Sequence, residues 1–270
     1  MVLVPGIETI TVVGAGSVGR VAARLCARAG YRTLLEDISG QMIEPALAEI
    51  RAMLAGDAAS FARIAPFTRI EDSVRQTDLI IEAVPEDMET KLEIFTVLDK
   101  SAPPGAWIAS TTSAFSVSEI ASITLRASRT FGMHFYNEAL VEIVRGVETS
   151  DEAMAVGVSV GERLGLKTIQ VRDASGLVIG RLRALECNEA FAIVQEGVAS
   201  FADVDKACSA VENRTGPFAW ADSVGLDNLL QEMERLHKVY GDRFRPNPLL
   251  AQHVKAGRTG RRAGRGVYQY

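Results

Sequence analysis

A short apolar run at residues 7–13 gives way to Gly14-Ala15-Gly16-Ser17-Val18-Gly19, which leads into a helical pattern at residues 17–29. Strand, GxGxxG turn and helix in that order constrain the fold strongly, because together they open a dinucleotide-binding βαβ unit. Gly14 permits the tight turn, Gly16 lets a pyrophosphate approach the backbone, and Gly19 allows the helix to pack closely on the strand. The N–H groups of Ser17 and Val18, at the positive end of the helix dipole, are then expected at the phosphates. A second strand at residues 32–36 ends in Glu36-Asp37, with Asp37 23 residues after Gly14. A carboxylate there accepts from both ribose hydroxyls and repels a 2′-phosphate, so the expected cofactor is NAD rather than NADP. Either acid can face the ribose, and Asp37 is preferred.

Further strands are predicted at residues 79–83, 106–109, 130–133, 140–147 and 168–172, with helical periods at 41–54, 86–100 and 151–164. Strands alternating with helices predict parallel βαβ units in an open α/β sheet. After Asp173 the pattern turns helical, at residues 177–194, 202–210, 219–223 and 227–240, with no strand. Ser175 or Gly176 is expected to cap the first of these helices. The fold class is therefore α/β: a Rossmann-type dinucleotide-binding domain over residues 1–172, then a smaller all-helical domain over residues 173–270.

Bulk properties narrow the partners. A net charge of −5 opposes non-specific nucleic-acid binding, which needs a positive surface field. No apolar stretch approaches the roughly 20 residues that span a bilayer, so no membrane association is expected. The opening Met-Val-Leu-Val-Pro-Gly lacks the charged region of a signal peptide. Cys26, Cys187 and Cys208 show no paired spacing, and Cys26 lies on an apolar helical face. A reducing, cytoplasmic setting is expected, with no metal site.

Of three histidines, His237 sits in a charged helix and His253 near the tail, and both are expected at the surface. His134 follows the apolar strand at 130–133, on the edge where open α/β sheets bind ligands, and is the candidate general base. Several motifs now occur in one order: Gly14 to Gly19, Ile81-Glu82-Ala83-Val84-Pro85-Glu86, Ser110 to Ser113, Gly132-Met133-His134-Phe135 and Leu140-Val141-Glu142. Thr215-Gly216-Pro217-Phe218, Val224-Gly225-Leu226-Asp227, Arg245-Pro246-Asn247-Pro248 and Gly264-Arg265-Gly266-Val267-Tyr268 follow. Nearly the whole chain resembles the 3-hydroxyacyl-CoA dehydrogenase family, and the C-terminal motifs resemble its short-chain 3-hydroxybutyryl-CoA branch.

The resemblance implies His134 as the acid/base, Glu142 as the residue that orients it, and Ser113 as the hydroxyl that binds the reacting oxygen. It implies further cofactor contacts from Ala83, Val84, Glu86, Lys91 and Asn137, a substrate cleft between the two domains, and a homodimer through the C-terminal domain. Bland alternatives stand beside these roles. Ser113 can make a local turn bond, Glu142 can be an ordinary strand charge, and Glu86 and Lys91 can form a solvated pair at a helix start.

Departures from the family pattern bear on the substrate. The family asparagine beside Arg181-Leu182 is Gly180 here, and Asn-Thr-Ser becomes Thr111-Thr112-Ser113. The loop after His134 omits several residues and a proline, and the segment between Asp37 and Glu82 is trimmed where relatives dock coenzyme A. Arg51, Arg63 and Arg69 are the phosphate candidates left in it, or else solvated charges. The favoured expectation is NAD-dependent oxidoreduction of a short-chain 3-hydroxyacyl-CoA. A free or non-CoA 3-hydroxy acid, or a noncatalytic dinucleotide-binding homologue, are the alternatives. The basic tail of Lys255, Arg258, Arg261, Arg262 and Arg265 is expected to be a solvated turn.

Overall fold

The computed structural model describes residues 6–136, 138–212 and 214–270. One compact unit ends at Ala174, and a second comprises Ser175–Tyr270.

In the first unit β1 (Thr9–Val13) is β-branched throughout, and every residue is buried, as a central strand requires. It feeds α1 (Ser17–Arg28), then β2 (Arg32–Glu36), α2 (Gly40–Met53), α3 (Ala58–Phe61), β3 (Ile64–Phe67), α4 (Ile70–Val74) and β4 (Leu79–Glu82). The chain continues through α5 (Met88–Ser101), β5 (Trp107–Ser110), α6 (Val117–Ala121), β6 (Thr130–Phe135), β7 (Leu140–Arg145), α7 (Asp151–Arg163) and β8 (Lys167–Arg172). The strands form one sheet in the order β3-β2-β1-β4-β5-β6-β7-β8. One helical layer packs on it through Leu25, Cys26, Ile43, Ile50 and Met154, and the other through Val74, Phe95, Leu98 and Ile120. Strand order reverses between β1 and β4, which places a topological switch point at the C-terminal end of β1.

Three features depart from the expected pattern. β3 is absent from the predicted strands, because Pro66 interrupts its apolar run; it forms one of the two edge strands, where a missing N–H costs no ladder bond. The sheet is not wholly parallel, since β6 and β7 pair antiparallel. The strand predicted at 140–147 ends at Arg145, leaving Val147 84% exposed, whereas β6 runs on through His134.

The second unit contains α8 (Ile179–Gln195), α9 (Phe201–Glu212), α10 (Pro217–Val224), α11 (Leu226–Tyr240) and α12 (Pro248–Lys255). Neither Ser175 nor Gly176 caps α8. Its N-cap is Val178, without a side-chain bond, because Gly176 and Leu177 both take left-handed φ and carry the chain past the expected start. His253 is buried, contrary to expectation. It lies in α12 edge-on to Phe191 and Phe201, and burial together with the charge of Arg258 holds its pKa below the ordinary value. The tail folds back onto buried Asp222, which accepts from the N–H groups of Val267 and Tyr268 and from the Tyr270 hydroxyl. Its basic residues are mostly exposed, with Arg261 over the Tyr270 ring and Arg262 3.8 Å from Asp227. Among the described residues no helix is long and apolar enough to cross a membrane.

Candidate active site

The glycine turn sits at the switch point. Gly14 adopts φ +103°, and a Cβ there would lie 2.5 Å from the Ala83 carbonyl oxygen, so only glycine lets this turn abut β4. A Cβ on Gly19 would collide with the Gly14 carbonyl oxygen, while one on Gly16 would meet nothing within 4 Å. Gly16 therefore faces open space, as the approach of a pyrophosphate requires. Gly16 is also the N-cap of α1 and lends no side chain to it, so the first-turn N–H groups are left for an anion. These residues fit a dinucleotide.

Glu36 and Asp37 separate cleanly. Asp37 accepts from Ala15 N–H at 2.9 Å and Ser39 N–H at 3.0 Å, which holds its carboxylate beside the glycine turn with acceptor capacity to spare. Glu36 turns inward and is 2% exposed. Burial, then the charges of Asp37 and Glu71, push its pKa up to about 7. A direct Glu36 contact with the ribose is therefore set aside in favour of Asp37: successive strand residues face opposite ways, and only one can face the cofactor.

Beyond β4, Ala83 and Val84 lie against the glycine turn, but Glu86 and Lys91 do not form a solvated pair. Lys91 has no exposed side-chain surface, and its ammonium bonds Glu82 at 2.7 Å and Glu86 at 3.2 Å. Asp87 rather than Glu86 starts α5, accepting from Thr90 N–H, which leaves Glu86 free to turn back towards the loop after β5. There it accepts from the Thr112 hydroxyl at 2.6 Å and from the N–H groups of Ser113 and Ala114. Burial raises the Glu86 pKa, but Lys91 and these donors outweigh it and hold the carboxyl below its ordinary range. Glu82, Ser110 and Thr112 were not assigned roles from sequence. The one signal was an acid closing the apolar run of β4.

His134 and Glu142 are direct cross-strand partners on the antiparallel β6–β7 pair. Opposed residues project to the same face, so the shortened loop delivers Glu142 to the imidazole by register rather than by reach. The His134 Nδ1 to Glu142 Oε2 distance is 2.8 Å, with Glu142 fully buried and the His134 side chain 18% exposed. An ionised carboxylate needs a donor, so Nδ1 carries hydrogen and Nε2 is the nitrogen left for proton exchange. Glu138, next along the loop, reaches the nearly buried Arg24 of α1 at 2.6 Å, a tether that sequence reasoning missed. β6 runs parallel to β5, so His134 lies at the same sheet edge as Ser110 and the glycine turn.

Other candidates fall elsewhere. Asn137 lies outside the described residues. Arg51 stacks on Phe61, Arg63 donates to the Ala59 carbonyl, and Arg69 lies 4.0 Å or less from Glu71 and Asp72. Gly180 is in the first turn of α8, where a Cβ would find only Glu232 Oε1, at 3.9 Å.

A glycine turn open to phosphates, an acid that selects NAD and a carboxylate-held imidazole on one sheet edge define a pyridine-nucleotide dehydrogenase. Residues 9–174 match the sequence model of the 3-hydroxyacyl-CoA dehydrogenase NAD binding domain, and residues 176–270 match that of the 3-hydroxyacyl-CoA dehydrogenase C-terminal domain. The chain belongs to the 3-hydroxyacyl-CoA dehydrogenase family, and its cofactor is NAD. A probable 3-hydroxybutyryl-CoA dehydrogenase of Bacillus subtilis is 37% identical over 98% of each chain. The crystal structure of (S)-3-hydroxybutyryl-CoA dehydrogenase from Ralstonia eutropha superposes with a TM-score of 0.92 at 36% identity, covering 98% of this chain and 99% of that one. A diketoreductase acting on dicarbonyl compounds matches with a TM-score of 0.83 at 25% identity, covering 99% of this chain and 100% of that one.

Proposed function

We propose that this chain interconverts a short-chain 3-hydroxyacyl-CoA and the corresponding 3-ketoacyl-CoA. The observation that carries the reading is the His134–Glu142 pair at the sheet edge that also holds the glycine turn. His134 Nε2 accepts the proton of the 3-hydroxyl during oxidation and returns it during reduction. Glu142 fixes the tautomer and stabilises the imidazolium that forms. Ser113 hydrogen-bonds the reacting oxygen. NAD supplies the hydride acceptor. Gly14, Gly16, Ser17, Val18 and Gly19 hold the pyrophosphate, Asp37 the adenosine ribose, and Ala83 and Val84 the adjoining wall.

Residues 1–172 serve as the cofactor domain and residues 173–270 as the substrate and dimerisation domain, in a cytoplasmic enzyme. The family resemblance supports a homodimer through the second unit, which light scattering tests directly.

NADH absorbance followed with acetoacetyl-CoA, beside fluorescence titration of the cofactor, tests the reading. Turnover that His134→Ala abolishes while NADH still binds is the expected result; turnover surviving in that variant defeats the assignment. The second reading, a free or non-CoA 3-hydroxy acid, is favoured by the local engagement of Arg51, Arg63 and Arg69 and by the likeness to the diketoreductase. Turnover of free acids or diketones without turnover of acetoacetyl-CoA would select it. NADH binding with no turnover of either class would mark a noncatalytic homologue.

A further inference from the structure

The strand that carries His134 outruns its neighbour. β6 pairs with β5 only as far as Gly132, opposite Ser110, so His134 and Phe135 extend past β5 with β7 as their strand partner. Beyond Phe135 the chain turns back at once. Tyr136 N–H donates to the Leu140 carbonyl at 3.2 Å, and Lys167 N–H donates to the Ala139 carbonyl at 2.8 Å. Phe131, Met133 and Phe135 pack into the core on the face that carries α1, which turns His134 to the opposite face. The acid/base residue therefore rides on an overhanging hairpin, held by core packing on one face and by a strand on one side.

The tip of that hairpin has an attachment outside the sheet. Glu138 forms an ion pair with Arg24 of α1 at 2.6 Å. The Arg24 side chain is 3% exposed, and its Nε has no hydrogen-bond partner among the described residues. A guanidinium enclosed this far is costly unless a carboxylate meets it, so α1 carries a charge that the hairpin tip answers. Glu138 is 58% exposed, so water could serve its carboxylate equally well, and it is the arginine that needs the pair. Arg24 lies about two turns along α1 from Ser17, in the helix whose first turn is assigned above to the pyrophosphate.

We infer that Arg24 and Glu138 are positioning residues that fix the hairpin of His134 against the helix that holds the cofactor. β4 and β5 stand between β1 and β6 in the sheet, so twist and bending across those strands would otherwise add into the distance between the imidazole and the nicotinamide. The ion pair joins the two parts directly. The short loop makes this effective: Glu138 is four residues from His134 and four from Glu142, so a shift of the tip is passed to both.

The inference rests on the role of His134 proposed above, and its test keeps the two apart. Glu138→Ala alone strands a buried guanidinium and can fail for lack of stability. The decisive variant is therefore Arg24→Met combined with Glu138→Ala, which removes both charges and keeps most of the buried volume. Its urea midpoint should stay close to the parent's, while the Tyr136 and Lys167 amides exchange with solvent at least tenfold faster and those of residues 130–132 do not. In the acetoacetyl-CoA assay kcat should fall roughly 10–100-fold, the cost of moving a reacting group by about an ångström, with the Kd for NADH within twofold. With NADH deuterated at C4 the isotope effect on kcat should rise, because hydride transfer has become the slow step. Arg163→Met cuts the bond from α7 to the Ala29 carbonyl at the other end of α1, and should leave kcat within twofold. If the double variant is stable and keeps the parent's kcat, the pair only neutralises a buried charge and the inference fails. It fails equally if exchange at Tyr136 and Lys167 is unchanged, or if Arg163→Met lowers kcat as much, since a general loosening of α1 is then what is read. Faster exchange at the tip in a protein whose parent does not turn over would uphold the tether and count against the His134 role alone.

Discussion

Replacing Glu36 by glutamine should make this protein more stable in mildly alkaline solution and leave it unchanged in acid. Glu36 closes β2 between Val13 and Phe67, with its side chain buried and its Oε1 without a hydrogen-bond partner. Burial, reinforced by Asp37 and Glu71, raises its pKa from 4.5 to about 7. The folded protein therefore holds a proton that the unfolded chain has already lost. This contribution to stability is complete below pH 4.5, is lost progressively as pH rises to about 7, and then levels off. At about 1.4 kcal/mol for each pH unit separating the two states, the full effect is at most roughly 3 kcal/mol, which side-chain relaxation and water entry reduce. Glutamine keeps the shape and removes the titration. Urea unfolding at pH 5, 6, 7 and 8, followed by Trp107 in a Trp220→Phe background, reports on the first unit alone. The variant should match the parent at pH 5 and exceed it by about 1–3 kcal/mol at pH 8. A difference that stays constant over that range would refute the argument, because nothing at residue 36 would then be titrating.

Glu142→Gln should lower kcat by about 10²–10⁴-fold with little change in NADH affinity, since it leaves the imidazole in the wrong tautomer; stopped-flow turnover checks this. Lys91→Met should destabilise the first unit by about 3–5 kcal/mol in the same urea assay, because it strands the Glu82 carboxylate. Asp37→Ala should weaken NADH binding and narrow the preference over NADPH, read from paired titrations. Gly180→Asn should fold normally, as a Cβ there meets only Glu232 Oε1 at 3.9 Å. It should raise kcat by up to about 10²–10³-fold if a preorganised donor is what the site lacks, and unchanged kinetics would mean another group already supplies it.

Much of this protein is legible in one dimension. The GxGxxG turn, the apolar runs of β1, β2, β4 and β5 and the helical spacing of α1, α7 and α11 encode local geometry, and local geometry repeats with a period readable along the chain. Family motifs in register added the His134–Glu142 pairing as an expectation. What the periodicity did not carry was depth and cross-strand register. Lys91 reads as a cofactor contact or a solvated charge, and its depth shows only when α5 is laid on the sheet beside Glu82; His253 reads as a surface residue near the tail until α12 packs it against Phe191 and Phe201. Glu36 and Asp37 are equivalent acids in sequence, and only the strand's alternation within a particular sheet turns one inward and the other to the glycine turn. β3 passed unseen because its proline is tolerable only on a sheet edge, a property of the neighbours it lacks. The antiparallel turn from β6 to β7 decides that Glu142 stands opposite His134. Burial, edge position and register are relations between segments far apart in the chain, so the tertiary structure alone could decide them.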